Sequence, residues 1–333
     1  MIVSRFLVKF LFASQQLPHR TALSSVVASK ASNTCNKMTL KENPDYQKLL
    51  TKLDEITQLK RISAVIGYDE MVFMPKDSAA SAERGKQKAI LARLSHEKSI
   101  DPEVGDLVNK LLEQTEENAE ANVNERRILE ITKKDYDKTT RVPIELASKA
   151  ALLSSKANSL WVKSRQADDY TVFADTLQEC FDVAMEKASA VRGANEDVSL
   201  YSQMLDEFEP GMAAERIDDI FNEVQAALVP LIKMVSESKN PPCTDALTGN
   251  FPLDVQKELG NKIVSKIGFD DKAGRIDVAV HPFTSSMSSK DVRITSRYSE
   301  TEWFQGLQGL IHEGGHAVSL CVQHKINLQV TKK

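Results

Sequence analysis

Two histidines and a glutamate near the end of the chain have the types and the spacing of a metal site. They form an HExxH motif at residues 312–316, in which His312 and His316 are the histidines and Glu313 follows the first of them. In a helix the two histidines lie about 40° apart on one face and about 6 Å apart along the axis, so both imidazoles can reach one ion. A zinc ion bound there leaves a position for water, whose proton Glu313 can accept. The motif therefore indicates metal-dependent peptide hydrolysis.

The competing interpretation is a helix whose two histidines only make hydrogen bonds, and the surroundings of the motif argue against it. The motif lies within an apolar helical stretch, as a metal-binding helix of this type requires. The same stretch contains Gly306, Gly309, Gly314 and Gly315, each of which costs up to about 1 kcal/mol relative to alanine in a helix. We therefore expect a neighbouring element or a ligand to approach this helix closely.

A catalytic zinc has three protein ligands, and the sequence offers no suitable third one. No Asp or Glu follows Glu313. In a continuous helix His324 would lie about 12 Å beyond the second histidine, and Cys321 would point about 140° away from it. Glu300 and Glu302 would lie about 15 Å away if the helix begins that early. We expect a site with two protein ligands.

The chain before this motif is mostly helical in its periodicity. From Pro44 onward apolar residues recur at intervals of three and four, as one buried helix face requires, at Tyr46, Leu49, Leu50, Leu53, Ile56 and Leu59. Start signals predict further helices from Ser78, Asp101-Pro102, Pro143, Asp168, residue 213 and Pro252. The cluster Asn240-Pro241-Pro242, with Gly249, predicts a loop. A last helix is predicted from about Glu300 to about Val322, with its core side at Phe304, Leu307, Leu310, Ile311 and Val318.

Two short strands are predicted before that last helix. Strand-like alternation occurs twice, on either side of a serine-rich turn, at Ile276, Val278 and Val280 and at Val292, Ile294 and Ser296. The expected fold is mainly α, with a small β-hairpin near the active site.

Composition narrows the class of protein. With 333 residues, 41% of them hydrophobic, the chain can bury a large core. The formal net charge of −4 argues against a nucleic-acid partner. The four cysteines lack CxxC spacing, which argues against a disulfide framework or a thiolate zinc cluster. No stretch approaches about 18 uncharged apolar residues, so no membrane span is predicted.

Residues 1–41 have the composition of an organelle transit peptide. They contain basic residues, serines and threonines but no acidic residue, and Lys9 interrupts the apolar run that a secretory signal would need. We expect import into a mitochondrion rather than a plastid. The alternatives are a disordered leader, or translation from Met38 and a cytoplasmic protein. Residues 42–333 are expected to form a helical body and the first part of a catalytic region.

Three motifs in a fixed order resemble the carboxypeptidase Taq family of thermostable metallocarboxypeptidases. They are the HPF motif at residues 281–283, the DxRxT motif at 291–295 and the HExxH motif at 312–316. Shorter likenesses extend the resemblance over roughly residues 44–317, at Met74-Pro75, Glu83-Arg84, Trp161, residues 201–212 and residues 274–277.

The resemblance implies a helical zincin fold related to the neurolysin-like and angiotensin-converting-enzyme-like peptidases. It also implies homodimers and removal of C-terminal amino acids from peptides, with zinc or sometimes cobalt as the metal. His312 and His316 would be metal ligands, and Glu313 would be the general base.

Two departures from the family pattern affect these expectations. After Ala317 the family continues with a Tyr-Glu-Gln-Gly type of sequence and, further on, with a His-Glu-Ser type of motif that holds the third ligand. This chain reads Val318-Ser319-Leu320-Cys321 and ends at Lys333. We therefore expect a C-terminally truncated member with an incomplete fold, weak zinc affinity and little hydrolysis. A milder departure is Tyr68-Asp69-Glu70, where the family more often has Trp-Asp-Gln.

Other polar residues have a functional and a structural interpretation each. His281 could donate a hydrogen bond to an oxyanion, or could be a buried histidine that bonds the backbone. Asp291 could orient a ligand imidazole, or could cap a turn. Arg293 and Arg297 could bind the carboxylate of a substrate, or could form surface ion pairs. His96 has no histidine four residues later and is predicted to lie on the surface.

The leading hypothesis is thus a zinc metallocarboxypeptidase that acts on peptides with a free C-terminus. One alternative is a non-catalytic helical partner of a full-length paralogue. Another is an endopeptidase of the zincin type.

Overall fold

The computed structural model describes residues 40–75, 77–116, 123–247 and 249–331, with the backbone alone for residues 78, 116, 246 and 321–331. The predicted leader lies almost entirely outside this range, so the import signal stays a prediction. The chain divides into two compact units, of which the first ends at Val191 and the second begins at Arg192. The sequence patterns did not predict this division of residues 42–333.

Six α-helices build the described part of the first unit. They are α1 (Pro44–Val72), α2 (Ser78–Ser99), α3 (Pro102–Glu116), α4 (Val123–Thr139), α5 (Ile144–Ala167) and α6 (Thr171–Arg192), whose last residue begins the second unit. The predicted helix starts in this unit are confirmed to within three residues, whereas the start of α4 at Val123 was not predicted. Side-chain caps mark several of these starts, although Pro143 before α5 makes no side-chain cap hydrogen bond. Asn43 accepts a hydrogen bond from the backbone N–H of Asp45 at 2.9 Å. Asp77 does the same for Ala79 at 2.6 Å.

Two apolar clusters hold these helices together. The first joins α1, α3 and α4 through Tyr46, Leu49, Val104, Leu107, Val108, Leu111 and Leu129. The second joins α5 and α6 and includes Leu146, Leu153, Ala157, Phe173, Cys180 and Val183. The helix α2 packs along α1 and α5.

Charged and polar groups are also buried in the first unit. Lys88 of α2 donates a hydrogen bond to Glu70 Oε2 of α1 at 2.7 Å, and both side chains are buried. Burial lowers the pKa of Lys88. His96 is buried as well, and its Nε2 lies 2.8 Å from the carbonyl oxygen of Val142. The prediction that His96 lies on the surface is therefore wrong, because α2 turns it towards the end of α4.

The second unit, as far as the structure describes it, contains four α-helices and a small sheet. The helices are α7 (Leu200–Leu205), α8 (Ala214–Ser236), α9 (Leu253–Lys266) and α10 (Trp303–Thr331). The predicted helices from residue 213 and Pro252 are confirmed, and so is the loop between them. The last helix begins at Trp303, three residues later than predicted, and continues to Thr331.

The sheet has three strands, β1 (Gly274–Val278), β2 (Thr284–Ser288) and β3 (Asp291–Ser296), in the order β1-β3-β2. β3 pairs antiparallel with β2 and parallel with β1. The expected hairpin therefore exists as β2–β3. The serine-rich stretch that the sequence analysis predicted to be a turn is strand β2, which is a correction. Val280 lies beyond the end of β1 and is exposed.

One face of α10 packs against the sheet and α9. The cluster consists of Val264, Phe269, Val292, Ile294, Leu310 and Ala317. Leu310 is fully buried, whereas Phe304 and Ile311 are 40% and 39% exposed. The predicted core side of α10 was thus too broad, because the sheet and α9 contact a narrower stripe of the helix.

The helix α8 exposes an apolar stripe. None of its residues is buried, and large side chains recur along one face at Phe221, Val224, Leu228, Leu231 and Val235, each at least 45% exposed. We call this set the α8 stripe. No helix in the described part of the chain is both long and apolar enough to cross a membrane.

Candidate metal centre

The two histidines of the HExxH motif meet on the surface of α10. Their Nε2 atoms are 3.1 Å apart, and the rings are nearly perpendicular with centroids 4.7 Å apart. Both residues are exposed. Zn–N bonds of about 2.0–2.1 Å in a tetrahedral arrangement would place two ligand nitrogens about 3.3 Å apart. The separation of His312 and His316 therefore fits two ligands of one divalent metal.

Within the described residues, no group of three or more His, Cys, Asp or Glu side chains could hold a metal ion. The side chains of Cys321 and His324 lie outside the described part of the chain, so their exclusion as ligands stays a prediction. The candidate metal ligands in the described part are the two histidines of the pair.

Three of the four glycines in α10 allow neighbouring elements to come close. A Cβ atom on Gly306 would lie 2.4 Å from the carbonyl oxygen of Arg297. A Cβ on Gly309 would lie 3.2 Å from Pro282, and one on Gly314 would lie 3.1 Å from Val264. The predicted close approach is therefore confirmed at these positions. At Gly315 no described atom lies within 4 Å of an added Cβ, so a neighbouring element is ruled out there among the described residues, and the approach of a ligand stays a prediction.

The carboxylate of Glu313 is held by a residue that the sequence analysis missed. Thr284, the first residue of β2, places its hydroxyl oxygen 2.7 Å from Glu313 Oε2 and 2.9 Å from the carbonyl oxygen of Glu313. Both residues are half-buried. The sequence gives one signal for this contact, a hydroxyl residue directly after the HPF motif, but the predicted turn concealed it.

The HPF and DxRxT motifs are bonded to each other. Thr295 donates its backbone N–H to the carbonyl oxygen of Phe283 at 2.9 Å, and its hydroxyl oxygen accepts from the N–H of Phe283 at 2.9 Å. Thr295 is fully buried. The next residue, Ser296, donates to the carbonyl oxygen of Gly306 at 3.0 Å and so joins β3 to α10. These bonds fix the start of β2 against α10.

Asp291 and Arg293 form a bidentate pair. Arg293 Nε and Nη2 donate to the two carboxylate oxygens of Asp291 at 2.8 Å each. Asp291 thus contacts a guanidinium in place of the ligand imidazole that the sequence analysis considered. The cause is the strand, in which residues i and i+2 lie on one face.

The remaining predicted residues are exposed. Arg297 lies just after β3 and donates to Gln305 Oε1 at 2.9 Å. His281 is exposed as well, so the alternative of a buried histidine is wrong. No functional role of His281, Arg293 or Arg297 is tested by these contacts, and their roles stay predictions.

A mainly helical body and an HExxH helix supported by a small sheet define the class of the chain as an HExxH metallopeptidase fold. Comparison with known proteins gives the family. A model of the carboxypeptidase Taq (M32) metallopeptidase family matches residues 48–321. The chain is 32% identical to thermostable carboxypeptidase 1 of Thermus thermophilus over 284 residues, which are 82% of this chain and 54% of that protein. It is 30% identical to carboxypeptidase 1 of Bacillus subtilis over 78% of this chain and 52% of that protein. The chain therefore belongs to the carboxypeptidase Taq family of metallopeptidases.

Solved structures of the family have the same fold. The M32 carboxypeptidase from Deinococcus radiodurans superposes with a TM-score of 0.69 at 28% identity, covering 83% of this chain and 53% of that one. Metallocarboxypeptidase 1 of Trypanosoma cruzi superposes with a TM-score of 0.67 at 28% identity, covering 82% and 54%. The chain thus spans about half the length of the relatives it matches.

Proposed function

We propose that this chain carries the metal-binding and proton-accepting part of a carboxypeptidase that releases C-terminal amino acids from peptides, with zinc as its metal. The observation that carries the proposal is the 3.1 Å separation of the His312 and His316 Nε2 atoms, with Glu313 on the same helix. The family supports the reaction, because the relatives are carboxypeptidases by name.

The residues of the site have separable tasks in this proposal. When bound, zinc would supply Lewis acidity, which makes a water molecule easier to deprotonate and a peptide carbonyl easier to attack. Glu313 accepts the proton of that water on its carboxylate. His281, which is exposed beside the sheet, donates a hydrogen bond to the carbonyl oxygen as negative charge develops.

Of the two candidate arginines, Arg297 is better suited to bind the substrate's terminal carboxylate. Arg293 already faces the carboxylate of Asp291 through two hydrogen bonds, so its charge is largely compensated. Arg297 bonds the neutral amide of Gln305 and can exchange that bond for a carboxylate.

Three finer parts of the proposal follow from the family resemblance. They are a fold related to the neurolysin-like and angiotensin-converting-enzyme-like peptidases, a homodimeric assembly, and cobalt as an alternative metal. A fourth part, mitochondrial import, rests on the composition of residues 1–41. The α8 stripe supports an assembly, because large exposed apolar patches mark interaction sites.

The activity test compares two forms of one peptide, with a free C-terminal carboxylate and with a C-terminal amide. With excess zinc, we expect slow release of the last amino acid from the free acid alone, measured by mass spectrometry. Glu313→Gln should reduce that release by about 10²–10⁴-fold. Cleavage of both forms at internal bonds would instead indicate the endopeptidase alternative.

Zinc affinity tests the metal-binding part on its own. We expect weak binding, because two imidazoles leave the ion largely solvated. His312→Ala and His316→Ala should each weaken zinc binding by more than about tenfold, because the loss of a residue that only supports a metal ligand already weakens binding by about that factor. Glu313→Gln is the matched control and should leave the affinity unchanged. Equal affinity in all four proteins would contradict the assignment of the ligands.

The α8 stripe also favours the second candidate, a non-catalytic partner of a full-length paralogue. Such a partner would bind the paralogue through this stripe and release no amino acid even at saturating zinc. Absence of release together with a stable complex with the paralogue would support this candidate over the enzyme.

A further inference from the structure

The geometry points to Thr284 as the residue that positions the proton-accepting carboxylate of Glu313. This inference rests on the proposed function, because it assigns Glu313 the task of accepting a proton from water. Thr284 itself would touch neither substrate nor metal. It would act by holding Oε2 of Glu313, so that Oε1 is the oxygen presented to the water.

The hydroxyl of Thr284 has one proton, and Glu313 offers it two acceptor oxygens within hydrogen-bonding distance. Glu313 Oε2 is 2.7 Å away, and the carbonyl oxygen of Glu313 is 2.9 Å away. A carboxylate oxygen accepts hydrogen bonds more strongly than a neutral carbonyl, so the proton goes to Oε2. In the described part of the chain, Glu313 Oε1 accepts no hydrogen bond, which leaves that oxygen for the water.

The position of this hydroxyl is fixed by the strands. Thr284 stands opposite Ile294 in the β2–β3 register, and its neighbour Phe283 is held by two hydrogen bonds to the fully buried Thr295. Threonine is β-branched, so its χ1 angle is restricted. A glutamate has three rotatable side-chain bonds, and a fixed donor selects one of its conformers.

In this arrangement the HPF and DxRxT motifs together place Thr284. Thr295 is the last residue of DxRxT, and Phe283 is the last residue of HPF. Their mutual hydrogen bonds set the strand position from which Thr284 reaches α10. The alternative is that Thr284 only ties β2 to the helix backbone through the carbonyl of Glu313.

Three variants distinguish a Thr284 that positions the Glu313 carboxylate from a Thr284 that only links β2 to the backbone of α10. Thr284→Val has the same shape and lacks the hydroxyl, and Thr284→Ser keeps the hydroxyl. Ser286→Ala is the matched control, because Ser286 lies on the same face of β2 and bonds only the carbonyl oxygen of Ser288, at 3.2 Å. If Thr284→Val does not fold, as judged by circular dichroism, Thr284→Ala takes its place.

For amino-acid release from the free-acid peptide, Thr284→Val should lower kcat by about 10²-fold, the loss expected when a reacting group is displaced by about 1 Å. KM should stay unchanged, because Thr284 does not contact the substrate. Thr284→Ser should restore kcat to within a few-fold, and Ser286→Ala should match the unmodified chain. A Thr284→Val variant with full kcat would overturn the inference.

Crystal structures of Thr284→Val and Thr284→Ser test the inference without any measurement of enzyme activity. We expect the Glu313 carboxylate to leave its present position in the valine variant and to keep it in the serine variant. An unmoved carboxylate in the valine variant overturns the inference even if the chain is an active peptidase. If the unmodified chain releases no amino acid, the proposed function fails, and the carboxylate position still decides whether Thr284 holds Glu313.

Discussion

At the scale of single residues, the partner of each candidate arginine indicates whether its guanidinium group can bind a substrate carboxylate. Arg293 and Asp291 neutralise each other, whereas among the described residues the guanidinium of Arg297 bonds a neutral amide. Sequence spacing could nominate both arginines but could not rank them, because the ranking depends on which partner the strand places beside each guanidinium.

The buried pair of Lys88 and Glu70 leads to a prediction about stability. Lys88→Met leaves the Glu70 carboxylate buried without a cation, and its Oε1 already lacks a hydrogen-bond partner. We expect a loss of about 3–5 kcal/mol in the free energy of unfolding. This loss can be measured by denaturant unfolding, followed by the fluorescence of Trp161, which lies in the same unit. The double variant Lys88→Met, Glu70→Leu should recover most of the loss, and a single variant as stable as the unmodified chain would contradict the prediction.

The two described cysteines should differ in reactivity. Burial raises the pKa of the Cys180 thiol to about 11, so little thiolate forms at pH 8, whereas Cys243 is exposed. Iodoacetamide at pH 8 should label Cys243 and leave Cys180 unmodified until the chain is denatured. Peptide mapping by mass spectrometry distinguishes these sites from Cys35 and Cys321. Equal labelling of Cys180 and Cys243 in the folded chain would contradict the predicted difference in reactivity.

At the scale of elements, the helices could be predicted and strand β2 could not. Helix starts are encoded locally by caps and prolines, as Asn43 and Asp77 show. Strand β2 reads Thr-Ser-Ser-Met-Ser, which carries little hydrophobic alternation of its own. Its conformation depends on hydrogen bonds to β3, a contact that local patterns do not contain. Missing β2 also meant missing Thr284.

The two ends of the glycine series in α10 give a matched pair of variants. Gly306→Ala places a Cβ 2.4 Å from the carbonyl oxygen of Arg297, so the backbone must shift, at about 1–3 kcal/mol. Gly315→Ala meets nothing within 4 Å and should gain up to about 1 kcal/mol of helix propensity. Thermal unfolding followed by the fluorescence of Trp303 should therefore rank Gly315→Ala above the unmodified chain and Gly306→Ala below it. The reverse order would show that α10 does not pack closely against residue 297.

At the scale of the whole molecule, the two candidate metal ligands, the candidate proton acceptor and the sheet all belong to the unit that begins at Arg192. The sequence motifs predicted this clustering along the chain. They did not predict the boundary at residue 191, which coincides with the end of α6 at Arg192, because such a boundary depends on contacts between elements that are distant in the sequence.

The α8 stripe should make the chain associate. Burial of apolar surface contributes roughly 25 cal/mol per Å², so we expect the mass from light scattering to rise with protein concentration. Phe221→Glu with Leu228→Glu should reduce the association while circular dichroism stays unchanged. Asn222→Glu with Ala226→Glu adds the same charge to the opposite face and should leave the association intact. A mass that stays at that of one chain at every protein concentration would contradict association through the α8 stripe.

The exposed histidine pair on α10 has a practical consequence for handling the molecule. Two imidazoles with nitrogens 3.1 Å apart on a helix surface suit the open coordination positions of an immobilised nickel ion. The untagged polypeptide should therefore be retained on a nickel resin and elute with modest imidazole. Replacing either histidine should send it into the flow-through, so a purification column can reveal the chelating pair before any peptide is assayed.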